Sequence, residues 1–346
     1  MGLDQKKKFL IKKTFIPFVL VILLIFITSI FQSVPAAEKT YKLKYAGGLG
    51  QGTALEVIPE WWGKELEKRT GGRVKVEYYF GEALGRQFDY PKLLRAGVCD
   101  YALLTTAIAE FKMLGVSMAP FLMANRAVNM EATMTLINRG LLKELEDFKV
   151  LFYEPTDPFY YFFKDKRVTK LEDLKGLKLR GLPGFGSALN NALGAVGIAM
   201  PFQDVYTALE RGTLDGLSTT VEATQVMHLE EVLKYCLWEP LFGSGNIVAM
   251  TKKLWDSFPA DIQLVMEQLN AEARHRFMDS IKTPAELKAD LDKAGWIVTS
   301  LTPEEKARWE KASQGLLEGW IKENEAKGYP AAKIVEVINK VKDYYD

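Results

Sequence analysis

Arg180 is the side chain in this sequence best suited to chemistry of its own. It closes Leu177-Lys-Leu-Arg180, where the leucines share one face of a strand and the two cations the other. Gly181-Leu-Pro-Gly-Phe-Gly186 ends that strand, and a helix is expected from about Ser187 to Leu193. The guanidinium therefore stands at the carboxyl end of a strand, the edge at which open α/β sheets bind ligands. It also stands beside a helix N-terminus, which favours anions. A guanidinium grips a carboxylate through two parallel hydrogen bonds, which an ammonium does not reproduce. The plainer alternative is a surface ion pair with an acidic neighbour.

Other side chains could complete such a grip. Tyr160 and Tyr161, in the run Pro158-Phe-Tyr-Tyr-Phe-Phe163, offer hydroxyls to an anion and rings to an apolar body. Alternation lets only one face of that run line a cleft. Phe202, after Met200-Pro, is a pocket wall or ordinary packing, and Thr219 and Thr220 are donors or simply strand formers. Catalysis has little support: His228 and His275 lie far apart, no Cys/His spacing suits a metal, and no nucleophile has a base beside it. Glu230-Glu231 and Glu304-Glu305 read as solvated helix faces. The expectation is binding without turnover, with no catalytic residue, metal or cofactor.

These residues need elements to hold them. Tyr41–Ala46 alternates as a half-buried strand and runs into Gly47-Gly-Leu-Gly-Gln-Gly52, where backbone can approach a ligand closely. A helix follows from about Thr53 to Lys68, stopped by Thr70-Gly-Gly72, and Arg73–Phe80 alternates again. The glycine loop is no dinucleotide fingerprint: after Gly48 and Gly50 the third glycine position holds Thr53, and after Gly184 and Gly186 it holds Leu189. Neither a Walker A sequence nor a Gly-x-Ser-x-Gly elbow is present.

An internal echo organises the rest. Residues 89–106 and 204–220 each begin with an acidic residue and a short amphipathic helix. Each stops at a glycine (Gly97, Gly212), then has an aspartate (Asp100, Asp215), a short strand and paired threonines. The pattern suggests two lobes built alike, each giving a strand end to a shared cleft, which places Thr106 beside Thr219 and Thr220 in function. Asn246–Met250 reads as a crossing strand, so Asn246 and Gly47 join the candidate ligand contacts. Beyond Lys252 helices are expected over 261–288, 302–327 and 331–345, with Thr302-Pro-Glu-Glu305 as one start.

The chain has 346 residues, 48% hydrophobic and 26% charged, which suits about two globular domains and excludes disordered and collagen-like classes. A formal net charge of +1 argues against nucleic acid as a partner. Residues 4–13 carry five lysines, an uncharged apolar run spans 15–31, and Val34-Pro-Ala-Ala37 follows: a secretory signal peptide, with an uncleaved anchor as the alternative. Cutting after Ala37 removes five lysines and one aspartate, leaving 40 basic and 43 acidic residues and a net charge of −3. Cys99 and Cys236 lie in apolar strand-like stretches and read as buried free thiols, although an oxidising compartment also permits a pair.

Leu174-Lys-Gly-Leu-Lys-Leu-Arg180 resembles the solute-binding proteins of tripartite ATP-independent periplasmic (TRAP) transporters. So do Thr70-Gly-Gly-Arg-Val-Lys-Val76, Gly81-Glu-Ala-Leu-Gly85, Arg95-Ala-Gly-Val-Cys-Asp100 and 204–216, in family order across about 41 to 280. The resemblance implies a two-lobe α/β clamshell with a mixed sheet in each lobe, crossing strands, a long hinge-spanning helix and a helical C-terminus. The expected division is a signal peptide over 1–37, a first lobe of 38–157 plus about 245–285, and a second of about 158–244 plus 286–346. It implies a periplasmic protein that hands an organic acid to the small and large membrane permease subunits, touching the membrane only through them or an uncleaved leader. Arg180 takes the family's carboxylate-binding role, Phe202 its aromatic wall and Thr219 its variable polar contact. The sialic-acid type has a second arginine where Tyr160 stands, and Leu217-Ser-Thr-Thr220 matches neither that type nor the short-dicarboxylate one. A monocarboxylate with an apolar or aromatic body is the expected ligand. The competing readings are a ligand sensor for a two-component system and an exported enzyme acting on a carboxylate.

Overall fold

Alternation and turn chemistry build strands at Tyr41–Ala46, Val74–Tyr79, Lys178–Gly181 and Gly245–Thr251 where the sequence reading expects them, and one at Phe148–Pro155 where it expects none. The computed structural model describes residues 39–200 and 202–345, so the leader expected over 1–37 lies outside the described residues. The chain divides after Tyr41, and Lys42 onward forms one unit. The strands are β1 (Tyr41–Ala46), β2 (Val74–Tyr79), β3 (Tyr101–Thr105), β4 (Phe148–Pro155), β5 (Phe159–Phe163), β6 (Lys178–Gly181), β7 (Val196–Ala199), β8 (Gly216–Thr219), β9 (Tyr235–Phe242), β10 (Gly245–Thr251) and β11 (Ile297–Thr299). Among the described residues they form two mixed sheets, ordered β2-β1-β3-β10-β4 and β11-β9-β5-β8-β6-β7. The fold is the two-lobe α/β type.

The chain passes from the first sheet to the second between β4 and β5 and returns between β9 and β10. These crossings lie side by side: Pro155 pairs with Gly245, Phe159 with Phe242, and the Thr156 N–H donates to the Ser244 carbonyl at 3.0 Å. Glycine is required there. A Cβ on Gly243 would sit 2.3 Å from the Met123 carbonyl oxygen, and one on Gly245 2.2 Å from the Tyr153 hydroxyl.

The internal echo has one geometry in both sheets. In the first, the Lys44 N–H donates to Asp100 Oδ2 at 2.8 Å and the Asp100 N–H returns to the Lys44 carbonyl at 2.9 Å. In the second, Lys178 and Asp215 repeat both bonds at 2.7 and 2.9 Å. Gly97 and Gly212 both take φ of 70°, which a residue with a side chain resists. Each aspartate clips the start of one parallel strand to the next, β1 to β3 and β6 to β8.

Helices cover the sheets. Ala54–Arg69 packs against Ala260–Asp279, joined by the buried Trp62 Nε1–H donating to Asn270 Oδ1 at 3.0 Å. The helix expected over 261–288 is broken: it stops at Asp279, and a new one runs Pro284–Lys293. Proline cannot supply an N–H to the preceding turn, and Thr283 with Glu286 forms a reciprocal capping box. The first piece packs on β4 and the second on β11, so the break falls where the chain changes sheet. Pro303–Glu325 packs on Phe185–Ala192 beside the second sheet, whereas Ala331–Tyr345 reaches back to Arg126–Asn138 beside the first. Cys99 and Cys236 are buried free thiols.

Candidate functional site

Arg180 is the next-to-last residue of β6, held between β7 and β8 by pairing with Ile198 and Leu217. The strand must end there. A Cβ on Gly181 would lie 2.6 Å from the Gly186 backbone, because the helix Phe185–Ala192 presses against the strand end. That helix starts two residues earlier than the sequence reading expects, at Phe185, just after the positive-φ Gly184.

The Arg180 side chain is 4% exposed, yet no carboxylate among the described residues pairs with it. Nε and Nη2 donate only to the Met200 carbonyl, each at a long 3.4 Å. The Phe202 ring lies 5.7 Å from the guanidinium carbon. Burial alone pulls the guanidinium pKa down to about 10. A cation removed from water without a counter-ion is costly unless a ligand supplies one.

It faces a cavity of about 470 Å³ at the carboxyl ends of β1, β3, β6, β7 and β8. Phe202, Thr219, Thr220 and Asn246 line this cavity with it. Asn246 sits at the start of β10, paired across to Thr105 and Glu154. Thr220 serves twice, since its hydroxyl also accepts from the Ala223 N–H at 3.2 Å and caps the helix Val221–Val226. The buried anion-seeking group, an aromatic wall and hydroxyl and amide donors thus converge on one space.

Four expected contacts lie elsewhere. Tyr160 is stacked on Trp238 with ring centroids 4.4 Å apart, inside a core cluster with Phe162, Leu217 and Trp296. Tyr161 faces the opposite layer, its hydroxyl donating to Asn190 Oδ1 at 2.6 Å. Helices cover both faces of the second sheet, so neither tyrosine lines the cavity; Phe159, at the strand's end, does. Thr106 is fully buried, bonded to the Ser244 hydroxyl at 3.1 Å and lining a separate pocket with Phe185 and Trp320, while Thr105 faces the cleft. Gly47 is structural: its N–H donates to the Tyr79 carbonyl, its carbonyl accepts from the Tyr90 hydroxyl, and Gly48 and Leu49 reach the cavity instead.

The sequence reading also missed Glu56, Arg86 and Phe88. Arg86 and Phe88 line the cavity and are exposed, at and within the single helical turn Gln87–Asp89, too short for any periodicity to mark them. Glu56 is fully buried beneath the glycine loop, accepting from the Tyr45 hydroxyl at 2.6 Å and the Leu49 N–H at 2.9 Å. Burial raises its carboxyl to about 7. A Cβ on Gly47 would stand 2.6 Å from Glu56 Oε2, which is why this loop begins with glycine. An acidic residue on an amphipathic helix gave no sign of burial.

Comparison with known proteins follows the same lines. The model of "Bacterial extracellular solute-binding protein, family 7" (DctP) matches residues 52–324. The C4-dicarboxylate-binding periplasmic protein DctP of Rhodobacter capsulatus is 27% identical over 294 residues, covering 82% of this chain and 87% of that one. A marine metagenome TRAP solute-binding protein, described as specific for aromatic acid ligands and solved with 3-hydroxybenzoate, superposes with a TM-score of 0.79 at 25% identity. The alignment covers 89% of this chain and 99% of that one. A Rhodoferax ferrireducens TRAP solute-binding protein, solved with benzoate, shares the fold at a TM-score of 0.75 and 21% identity, over 89% and 100% of the two chains.

Proposed function

The chain belongs to family 7 of the bacterial extracellular solute-binding proteins, the DctP type of TRAP transporters, and from that membership we propose that it captures an organic acid in the periplasm. It holds the acid between its two lobes and delivers it to the small and large permease subunits in the membrane, without turning it over. The observation that carries this reading is the Arg180 guanidinium, buried at the strand ends with no carboxylate of the protein beside it. A ligand carboxylate supplies the missing charge through a two-pronged hydrogen bond. Thr219, Thr220 and Asn246 serve its remaining polar atoms.

The ligand body is apolar or aromatic. Phe159, Phe202, Phe88, Leu49 and Leu55 surround the space in front of Arg180. The aromatic-acid specificity described for the marine metagenome relative supports the same class. The lobes are 38–157 plus about 245–285 and 158–244 plus 286–346, with the helix Ala331–Tyr345 lying back over the first; the paired crossings near Thr156 and Ser244 support that division.

Thermal-shift screening of residues 38–346 against an organic-acid library tests the proposal. An acid at a hundred times its dissociation constant adds about 2.7 kcal/mol of stability. Monocarboxylates with ring or branched bodies are expected to shift the melting temperature saturably and to be recovered unchanged. A library without a single hit, or a hit that the protein converts, overturns the reading.

A further inference from the structure

The second crossing between the sheets carries a serine that the sequence reading passed over. Ser244 stands between Gly243 and Gly245 and lines the cavity of about 470 Å³, as does Thr156 of the first crossing. Its backbone is pinned. The Ser244 carbonyl accepts from the Thr156 N–H at 3.0 Å and from the Asn129 side-chain amide at 3.1 Å. Asn129 is fully buried and is itself held, its Oδ1 accepting from the Tyr153 hydroxyl at 2.7 Å. The crowding around both flanking glycines leaves this short segment one path.

Among the described residues the Ser244 hydroxyl has one partner, the Thr106 hydroxyl at 3.1 Å, and either could donate across that distance. Polar satisfaction selects the donor. Thr106 is 0% exposed, and its Oγ1 already accepts from the Gly245 N–H at a long 3.4 Å. The Thr106 hydrogen therefore needs an acceptor inside the protein, and Ser244 Oγ is the one within reach. Were Ser244 the donor, the Thr106 hydrogen would be buried with no acceptor, at the cost of its desolvation. The bonds thus run one way, from the Gly245 N–H to Thr106 and from Thr106 to Ser244. The Ser244 hydrogen is left over, and of these three residues Ser244 is the one that borders the cavity.

We propose that Ser244 is a further ligand-binding residue, which donates its hydroxyl hydrogen to an acceptor oxygen of the bound acid from the hinge side of the cleft. This rests on the reading of the cavity as the acid site. Arg180 reaches the cavity from β6 of the second sheet and Asn246 from β10 of the first, and Ser244 stands on the crossing between the two sheets. Thr106 is a positioning residue in the same relay: it does not line this cavity, but its donation turns the Ser244 hydrogen outward. A ligand that presents only carbon to the crossing leaves that donor unpaired. The favoured acids are therefore those whose carboxylate, or an oxygen close to it, faces Ser244.

Two measurements test the proposal, one of them without any ligand. Neutron diffraction from ligand-free, deuterium-exchanged crystals is expected to place the Thr106 deuteron on the line to Ser244 Oγ. A Ser244 deuteron pointing at Thr106 overturns the relay. Titration calorimetry then uses benzoate, phenylacetate and mandelate as probes. Ser244→Ala is expected to weaken whichever of them binds roughly tenfold, the scale of one hydrogen bond to a charged acceptor. Ser244→Cys, close in size and a weak donor, is expected to move the same way and serves if the alanine variant does not fold. Arg180→Met reports on the acid site itself. Affinity unchanged in folded Ser244→Ala or Ser244→Cys, but lost in Arg180→Met, overturns the role of Ser244 and leaves the anchor standing. A wild type that binds none of the three probes overturns the proposal together with the reading it rests on.

Discussion

Arg180→Met separates two contributions that most binding-site substitutions leave mixed. Arg180 is 4% exposed, and its Nε and Nη2 reach only the Met200 carbonyl at 3.4 Å. Burial lowers its pKa from the ordinary value to about 10, so at pH 7.5 it is fully charged and the whole penalty is present. At about 1.4 kcal/mol per tenfold, the charged form is disfavoured by on the order of 3 kcal/mol. Methionine fills much of the same volume without the charge, so the ligand-free variant is expected to melt a few degrees higher than the wild type. Removing one partner of a buried charge pair costs about 2–5 kcal/mol of binding, so affinity for the acid found by screening is expected to fall at least thirtyfold. Arg180→Lys restores charge but not the fork and should recover only part of that loss. Differential scanning calorimetry of the ligand-free protein and titration calorimetry with the acid give the two numbers. A variant that binds as tightly as wild type refutes the anchor. One that binds poorly and also melts lower shows that the guanidinium supports the empty fold, contrary to the reasoning.

Glu56 titrates near 7 in the folded protein against an ordinary 4.5, so the folded state keeps a proton that the unfolded chain has released. The contribution of this group to stability is fully present below pH 4.5 and falls by about 3 kcal/mol as pH rises through 7. Urea unfolding at pH 5 and 8 should show a smaller drop in Glu56→Gln, with the residue of the slope left to the equally buried Glu154, whose carboxyl is also raised; an unchanged slope contradicts the assignment. Asp100→Ala and Asp215→Ala each remove a bond to a solvent-reachable backbone N–H, that of Lys44 within β1 and that of Lys178 at the start of β6, at a cost of about 0.5–1.5 kcal/mol. Because the two clips sit in different sheets their effects should add in denaturant unfolding of the double variant, and strong non-additivity would speak against independent clips. Tyr160→Phe should leave ligand affinity unchanged, whereas Phe202→Ala should weaken it several-fold; calorimetry giving the reverse order would return the tyrosine to the cleft.

Local rules carried the sequence reading a long way. The two-residue alternation of β1 and β2, the glycine stops at Gly97 and Gly212 and the repeated aspartates are short-range features, and each appears in the fold where its residues stand. Arg180 was legible because a strand end, a glycine-proline turn and a helix start follow one another within a few residues. Thr219 and Thr220 stand at the end of β8 and Asn246 at the start of β10, whereas Phe202, in the short helical turn Phe202–Asp204 beyond β7, took its wall role from the family resemblance. What the sequence left open was the phase of each alternation, that is, which layer lies on which side. Tyr160 and Phe159 are neighbours of like chemistry, yet one is stacked in the core and the other lines the cavity, because helices from 205–210 and 284–293 cover one face of the second sheet and those from 185–192 and 303–325 the other. Thr105 and Thr106 divide in the same way. The burial of Glu56 is likewise a matter of packing: the helix Ala54–Arg69 turns it under the glycine loop against Tyr45 and Leu49, an arrangement that the alternation of a strand and the periodicity of a helix do not by themselves encode.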